Sequence, residues 1–333
     1  MSSRTQKHQQ AVFITGGAGG LGGATAKYLG EQGWRVFAAD CVEEALARIG
    51  QERNVTPVHV DVTDAASVTA AARSVAKRVD GLDGVVNFAG ILAVGSLIEI
   101  SEEALRRVLE VNVMGTFRVN RTLFPLVLAR QGRIVNISSE TGWQTGMPFN
   151  GPYGMSKHAI EAYSDSLRRE LMFLGVPVIK IQPGPFKTEM VAGIERHFAR
   201  AAKESRHFGQ LLRRLKGMTV AEQEKAHDPI LVAQTVHIAL TARHPAAAYS
   251  VKPDPARAAM NLLPDRVADA LLEWVVGTRR VGWGGMLEGL GGLARGPSRA
   301  SRHSAGKCHD HASERGGPRR SSGGIAASAT LSA

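Results

Sequence analysis

Tyr153 and Lys157 stand four residues apart at the start of a predicted helix, in the stretch GPYGMSK. Residues four apart lie about one helical turn from each other and point the same way. The charge of a lysine placed there favours the phenolate form of a tyrosine and lowers its pKa from the usual value of about 10. The pair is therefore a candidate general acid and base, although any long helix carries such pairs by chance.

A glycine-rich turn, TGGAGGLG, follows the first predicted strand (11–15) and runs straight into a helix. Glycines let the backbone approach a pyrophosphate closely, and the helix N-terminus offers it free N–H groups. Asp40 ends the second predicted strand, where a carboxylate can accept both ribose hydroxyls and repel the extra phosphate of NADP. No arginine lies in the turn or beside Asp40 in the sequence, so we expect NAD, with NADP less favoured. Asp40 could also cap a helix over 42–49.

Apolar, β-branched runs alternate with longer helical patterns along most of the chain. This alternation predicts crossover units and a parallel sheet, and the runs are apolar at nearly every position, as a sheet covered on both faces requires. We therefore expect an α/β fold: a single doubly wound (Rossmann) domain over 11–276 with a mainly parallel sheet of about seven strands. The predicted strands are 11–15, 35–40, 57–62, 84–90, 133–139, 177–183 and 247–251, and the longer helices are 65–79, 101–129, 153–174 and 263–276.

Three segments stand outside this alternation. Residues 1–10 read as an N-terminal extension. Residues 189–226 are helical, basic and partly amphipathic, which fits either a lid over a substrate or a solvated pair of surface helices. From Gly277 to Ala333 the chain is rich in Gly, Arg and Ser, a composition that buries too little apolar surface to order itself.

The net charge of +11 invites a nucleic-acid partner, but seven Lys/Arg against two acidic residues fall within 294–333. Such a tail binds phosphates non-specifically, and 284–333 contains no aromatic residue to stack on bases. We expect no specific nucleic-acid partner. The tail's His and Cys residues could scavenge a metal, but a solvated tail is the preferred interpretation, so no metal site is predicted.

The two cysteines lie far apart and imply no disulfide framework, which fits a reducing compartment. The first ten residues lack the apolar core of a signal peptide. No run of about 18 apolar residues is present, so we expect no membrane span and a cytoplasmic location.

Further short motifs lie at the ends of the predicted strands and inside the predicted helices: Asp61-Val62, Asn87-Phe88-Ala89-Gly90, Asn112, Ser139 and Pro183-Gly184. Together with the glycine turn and the Tyr153/Lys157 pair, they resemble the short-chain dehydrogenase/reductase family over about 11–255. The segment HAIEAYSDSLRRELMFLGVPVIKIQPGPFKTEM is most similar to members that act on retinol and hydroxysteroids. The matching motifs occur in the family's order: Thr15, Gly16, Gly20 and Gly22; Asp61-Val62; Asn87-Phe88-Ala89-Gly90; Asn112; Ser139; Tyr153 and Lys157; Pro183-Gly184.

The resemblance implies a role for each of these residues. Tyr153 would be the general acid/base, Ser139 would hold the substrate oxygen, and Lys157 would also bind the nicotinamide ribose. Asn112 would hold a water that links Lys157 to solvent, or else would bend its helix by bonding backbone. The implied cofactor-binding residues are Thr15, Gly16, Gly20, Leu21, Gly22, Asp40, Asp61, Val62, Asn87, Ala89, Gly90, Tyr153, Lys157, Pro183, Gly184 and Thr188. Of these, Asn87 would shape the cofactor floor, and Thr188 could instead cap the next helix.

Two positions depart from the family pattern. Phe88 stands where the family usually has a second Asn. Ser139 precedes Tyr153 by fourteen residues, one more than usual, so either the loop 140–152 carries an insertion or the geometry is altered. Ser138 is one residue further away, and we favour Ser139.

These features predict an NAD-dependent enzyme that interconverts a secondary alcohol and its ketone. The apolar positions of 189–226 (Ile194, Phe198, Phe208, Leu211, Leu212) suggest an apolar, steroid-, retinoid- or lipid-like substrate. Helices 101–129 and 153–174 could pair with copies of themselves, giving a homodimer or homotetramer. The rival is a dinucleotide-binding sensor or scaffold without catalysis, which the presence of Ser, Tyr and Lys disfavours.

Overall fold

The computed structural model describes residues 9–224 and 226–276. A seven-stranded sheet forms its centre, in the order β3-β2-β1-β4-β5-β6-β7, and every neighbouring pair is parallel. The predicted doubly wound α/β fold is therefore confirmed. The strands are β1 Ala11–Thr15, β2 Arg35–Asp40, β3 Val55–His59, β4 Gly84–Asn87, β5 Arg133–Ile137, β6 Val178–Pro183 and β7 Ala248–Val251.

Helices cover both faces of the sheet. They are α1 Gly20–Glu31, α2 Glu43–Ile49, α3 Ala65–Ala76, α4 Glu102–Leu109, α5 Thr116–Ala129, α6 Gly151–Leu171, α7 Glu189–Glu204, α8 Gly209–Glu224, α9 Ile230–Thr241, α10 Pro255–Met260 and α11 Asp265–Val276. A π-helical turn, Glu110–Gly115, joins α4 to α5, and 3₁₀ turns occupy Glu140–Gly142 and Met172–Leu174.

The buried strands divide their side chains between two cores. On β1, Val12 and Ile14 point into a core with residues of α1 and α9, while Phe13 points into a core with residues of α3 and α5. Successive side chains of a strand face opposite sides, so each core takes alternate residues. This explains why β1 is apolar almost throughout.

The strand order creates the crevice that this fold uses for ligands. The chain leaves β1 towards β2 and β3 on one side, then returns to β4 on the other. The loops after β1 and β4 consequently diverge at the carboxyl edge of the sheet, which is where open α/β sheets bind ligands.

Several strand ends are shifted, as in β3, which was predicted at 57–62 and spans Val55–His59. Three other differences concern the site or a whole element. The predicted helix 101–129 is interrupted by the π-helical turn around Asn112. The predicted strand 84–90 ends at Asn87, because Phe88 to Gly90 leave the sheet and line a cavity. Helix α9 was not predicted, because its sequence ILVAQTVHIALT is apolar on most sides and shows no amphipathic stripe.

Residues 189–224 are mostly helical, as expected, and form the helices α7 and α8, which share a small core. The predicted extension 1–10 is described only from residue 9, and the predicted disordered tail 277–333 lies outside the described residues. Among the helices of 9–224 and 226–276, none combines the length and apolar character needed to cross a membrane.

Candidate active site

A cavity of about 1320 Å³ opens along the carboxyl edge of the sheet. It brings together most of the residues singled out from the sequence, from the glycine turn to the Tyr/Lys pair. Those lining it are Gly16, Gly20, Leu21, Gly22, Asp40, Asp61, Val62, Ala89, Gly90, Ser139, Tyr153, Lys157, Pro183, Gly184 and Thr188. Thr15, Asn87 and Asn112 do not line it.

The turn after β1 is shaped by close backbone approaches. Gly16 has a φ of +61°, and a Cβ there would lie 2.9 Å from the backbone nitrogen of Ala89. A Cβ on Gly22 would collide with the carbonyl oxygen of Gly16. The buried Thr15 hydroxyl accepts a hydrogen bond from the same Ala89 nitrogen at 3.2 Å. Thr15 therefore supports the turn from below, and the open space in front of the α1 N-terminus fits a pyrophosphate.

The carboxylate of Asp40 is held by three backbone N–H groups. It accepts from Ala18 at 3.3 Å, from Cys41 at 2.9 Å and from Val42 at 3.3 Å. Helix α2 begins at Glu43 with Val42 as its N-cap and no side-chain cap. The suggestion that Asp40 caps this helix is therefore wrong: the carboxylate joins the end of β2 to the glycine turn.

Asp61 is fixed in a similar way at the next strand end. Its Oδ1 accepts from the Thr63 hydroxyl at 2.7 Å and from the Thr63 backbone N–H at 2.8 Å. These two bonds, the hydroxyl first, lower the pKa of Asp61 from its usual value. Hydrogen bonds to the charged form have this effect, so this carboxylate stays ionised.

Three arginines that the sequence analysis did not consider also line the cavity: Arg48, Arg106 and Arg107. Arg48 lies in the last turn of α2, and Arg107 lies on α4. The charge of Arg107 reaches Cys41 and Asp61.

Tyr153 and Lys157 lie on the first two turns of α6, which begins at Gly151 with Pro152 in its first turn. The Nζ of Lys157 lies 5.4 Å from the centroid of the Tyr153 ring and donates to the carbonyl of Ile137 at 2.9 Å. The side chain of Ser139 hydrogen-bonds the Tyr153 phenol and accepts from the Thr141 N–H at 3.2 Å.

The longer loop between β5 and α6 thus leaves Ser139 and Tyr153 in contact. The 3₁₀ turn Glu140–Gly142 takes up part of the chain directly after Ser139. The neighbouring Ser138 hydroxyl instead faces the backbone carbonyl of Lys157, at 3.5 Å. Of the two serines, the structure brings Ser139 to the tyrosine.

Burial shifts the pKa values of Tyr153 and Lys157 in the directions that favour their neutral forms. Burial raises the pKa of Tyr153 to about 12; the Ser139 hydrogen bond opposes this, and the charge of Glu140 adds to it. Burial lowers the pKa of Lys157 to about 8, against the charge of Glu161. The expectation that Lys157 lowers the pKa of Tyr153 is therefore not met in the protein alone, because burial dominates and the ammonium group is directed at the Ile137 carbonyl.

Asn112 uses its side chain to hold neighbouring segments together. Its Oδ1 accepts from the Ile91 N–H at 2.8 Å, and its Nδ2 donates to the Ile91 carbonyl and the Ser156 hydroxyl, both at 2.9 Å. Asn112 also lies within the π-helical turn, a feature often found at functional sites. The bonds to Ile91 backbone match the alternative role considered for it, and the water-holding role stays a prediction.

Asn87 does not shape the cavity floor, so this expectation is wrong. Its side chain is buried and donates to the Oδ1 atoms of Asn120, at 2.7 Å, and Asn136, at 3.0 Å. The Asn136 amide in turn donates to the Ser164 hydroxyl at 2.9 Å. Asn87 is drawn away from the cavity because its amide N–H groups find acceptors on α5 and β5.

Comparison with known proteins places this arrangement in a family. The sequence profile of the family described as short chain dehydrogenase matches residues 10–198. Human retinol dehydrogenase 16 is 37% identical over 285 residues, covering 79% of this chain and 88% of that protein. The NADPH-dependent 3-dehydrocapnine reductase of Ornithobacterium rhinotracheale is 35% identical over 273 residues, covering 78% and 95%.

A solved structure of similar architecture is a short-chain dehydrogenase from Streptomyces avermitilis. It is 26% identical, with a TM-score of 0.65, and the match covers 84% of this chain and all of that chain. With the family profile spanning more than half of the sequence and relatives above 30% identity, the resemblance is confirmed. This chain belongs to the short-chain dehydrogenase family, with retinol dehydrogenases among its similar relatives, and is an oxidoreductase of alcohols and ketones that uses a nicotinamide dinucleotide.

Proposed function

We propose that this protein interconverts a secondary alcohol and its ketone by hydride transfer, with Tyr153 as the acid/base and NAD as the preferred dinucleotide. The observation that carries the proposal is the meeting of Ser139, Tyr153 and Lys157 in the cavity that also contains the glycine turn. Proton transfer and dinucleotide binding would thus share one crevice.

The dinucleotide would lie along the carboxyl edge of the sheet. The glycine turn and the α1 N-terminus suit its pyrophosphate, and Asp40 suits the ribose hydroxyls. When bound, the nicotinamide supplies the hydride donor or acceptor and, in its oxidised form, a positive charge. Lys157, beneath Tyr153, would hold the adjacent ribose, and Pro183-Gly184 would let the chain pass close to that end.

The proton would move through Tyr153. Ketone reduction requires the phenol as donor, and the raised pKa of Tyr153 keeps this form dominant at neutral pH. Alcohol oxidation requires the phenolate, so a nearby positive charge must offset the burial of the ring. Ser139 would bind the substrate oxygen and hold it against the phenol, where charge develops.

The preference for NAD rests on Asp40. Its carboxylate lies at the end of β2, already oriented by three N–H groups, where an additional ribose phosphate would be repelled. NADP is the second candidate, because Arg48 and Arg107 line the same cavity and one relative is named as NADPH-dependent.

A second cavity of about 950 Å³ shares Gly90, Ile91, Arg107, Glu189 and Met190 with the first. Its lining is mixed, since it includes the charged Arg196, Arg200 and Glu204, so it supports a substrate with an apolar part rather than a wholly apolar one. Leu92, Val94 and Ile100 add to its apolar lining. The apolar positions of α7 and α8 support the idea less directly. Phe198 and Leu212 are buried in a small core between these helices, although Leu212 also lines the second cavity.

We also propose that two or more copies of the chain associate through α5 and α6. Phe117, on α5, and Met155, on α6, are large apolar side chains exposed by 37% and 46%. Covering them with a second copy would remove apolar surface from water. A homodimer or homotetramer would be seen as a corresponding mass by light scattering.

The deciding experiment is a fluorescence titration with NADH and NADPH, followed by an absorbance screen against steroid, retinoid and aliphatic alcohols and ketones. Tight binding with Tyr153-dependent turnover is the expected result. Binding without turnover on any substrate would favour a dinucleotide sensor. Failure to bind either dinucleotide would overturn the proposal.

A further inference from the structure

The loop that carries Ser139 is bonded to a segment more than a hundred residues later. Glu140, only 5% exposed, pairs through Oε1 with the Nη1 of Arg257 at 3.1 Å. Its Oε2 accepts from the backbone N–H of Asp254 at 2.7 Å. Further along the loop, the Thr145 hydroxyl donates to the Oδ1 of Asn261 at 3.1 Å. The short helix α10 and its flanks therefore hold this loop at two points.

The same segment also contacts the loop after β6. A Cβ on Gly184 would collide with the backbone carbonyl of Lys252. Asp254 caps α10, since its Oδ1 accepts from the N–H groups of Ala256 and Arg257 at 2.8 and 3.0 Å. Residues 252–257 thus form a fixed support between the two loops that flank the proposed reaction centre.

A buried carboxylate at this position needs a partner. Burying a charge is costly unless it is paired and hydrogen-bonded, and Glu140 directly follows Ser139. Its charge acts on Tyr153 in the direction that raises the pKa of the phenol. The guanidinium of Arg257, with its side chain 21% exposed, supplies the opposite charge to this carboxylate.

We propose that Arg257 is a positioning residue for the reaction: through its ion pair with Glu140 it fixes the loop carrying Ser139 and offsets the negative charge beside Tyr153. This inference rests on the proposed function, because it assigns Arg257 to the Tyr153-dependent proton transfer. Arg257 lies outside the residues 10–198 matched by the family profile, so the motifs alone did not indicate it.

The charged and polar groups around this centre come from three elements. Ser139 and Glu140 approach Tyr153 from the loop after β5, and Lys157 lies beneath its ring on α6. Glu161, also on α6, acts on Lys157. Arg257 and the Asp254 N–H face Glu140 from α10. Changing Arg257 or Glu140 therefore alters the field at Tyr153 without removing a group that would touch substrate.

The test is the pH dependence of kcat/KM for alcohol oxidation, measured with the full chain at saturating dinucleotide. This rate rises with pH as the phenolate forms. Arg257→Met leaves the charge of Glu140 uncompensated, which disfavours the phenolate, so the rise should move to higher pH. Glu140→Gln removes the charge, so the rise should move to lower pH, and the double variant should behave like Glu140→Gln.

Arg266→Met, the same change at an exposed arginine of α11, is the control and should leave the profile in place. If both Arg257→Met and Glu140→Gln lower the rate equally at every pH, the pair is merely structural and the inference is overturned. If Arg257→Met does not fold, the shift in Glu140→Gln decides alone. Absence of Tyr153-dependent turnover in the unmodified protein would overturn the proposed function, and this inference with it.

Discussion

The dinucleotide half of the crevice and its catalytic half are built in different ways. On the dinucleotide side, Asp40 and Asp61 lie at strand ends and are oriented by backbone N–H groups at most a few tens of residues away. On the catalytic side, Ser139, Tyr153 and Arg257 come from three separate segments. The two carboxylates of the first half are fixed mainly by nearby backbone, whereas the loop of the second half depends on an ion pair between positions distant in sequence.

The two halves also differ in how their charges respond to burial. Asp61 has its pKa lowered by hydrogen bonds from Thr63, which favours its charged form. Tyr153, with a pKa raised to about 12, and Lys157, with a pKa lowered to about 8, are both driven towards neutrality. We therefore expect the dinucleotide half to behave almost independently of pH, whereas the catalytic half titrates.

The largest expected effect is a loss of turnover when only the catalytic half of the crevice is changed. Tyr153→Phe should reduce turnover by about 10²–10⁴-fold, because general acid/base catalysis contributes on that order. NADH affinity, measured by fluorescence titration, should remain close to that of the unmodified protein. The matched control is Tyr163→Phe on the same helix, whose hydroxyl accepts from Asn120 at 3.2 Å, outside the cavity. Retained turnover in Tyr153→Phe would contradict the mechanism.

The second largest effect is expected when the dinucleotide half is changed, and it concerns kcat/KM with NAD. Asp40→Asn can keep an oxygen for the Cys41 and Val42 N–H groups, which donate to Oδ1, but it loses the charge and the second oxygen, which accepts from Ala18. Hydrogen bonds to charged groups contribute about 1.5–3 kcal/mol, so kcat/KM with NAD should fall roughly 10- to 100-fold. The ratio of kcat/KM for NAD to that for NADP should fall with it. An unchanged ratio would mean that Asp40 does not select the dinucleotide, and would direct attention to Arg48 and Arg107.

The contrast between the halves also explains what could be predicted from the sequence. Strand ends, the glycine turn and Asp40 follow from residues next to one another, and the alternation of elements gave the sheet. The Glu140–Arg257 pair joins positions 117 residues apart, and no local pattern connects them. Asn87 was assigned to the wrong surroundings because a motif gives its position at a strand end but not the direction of its side chain.

Helix α9 shows a second limit of sequence patterns. Its residues Val232, Ala233 and Val236 are fully buried, and most of its sides are apolar. Its exposed face carries Gln234 and Thr241 but also Ile238, which is 52% exposed. An apolar residue on the solvent face weakens the amphipathic pattern from which a helix is recognised. The same reasoning explains why the better exposed pair α7 and α8 was recognised.

A smaller effect is expected at Glu161, whose charge influences the pKa of Lys157 in the catalytic half. Glu161 accepts from Gln182 at 2.9 Å, pairs with Lys180 at 2.8 Å and raises the pKa of Lys157. Glu161→Gln should therefore lower the pKa of Lys157 further below about 8.

The lower pKa of Lys157 in Glu161→Gln is measured most directly in ketone reduction. It requires both Tyr153 and Lys157 to be protonated, so kcat/KM falls at high pH, and in Glu161→Gln that fall should begin at lower pH. Asp165→Asn is the control, because Asp165 pairs with the same Lys180 at 3.0 Å but does not act on Lys157. A fall at the same pH in Glu161→Gln and the unmodified protein would show that Lys157 does not titrate in the working range.

The smallest expected effect on activity comes from a change at Asn87, which lies in the sheet beneath the cavity and does not line it. Asn87→Ala removes two buried hydrogen bonds and leaves the Oδ1 of Asn120 without its donor, which should cost about 1–3 kcal/mol of unfolding free energy. Because Asn87 does not line the cavity, the dissociation constant for NADH should stay the same at temperatures where the variant is folded. Denaturant unfolding and fluorescence titration measure the two quantities. Weakened NADH binding without a loss of stability would return Asn87 to the cofactor floor, whereas lost stability with unchanged binding places it in the sheet that supports the crevice.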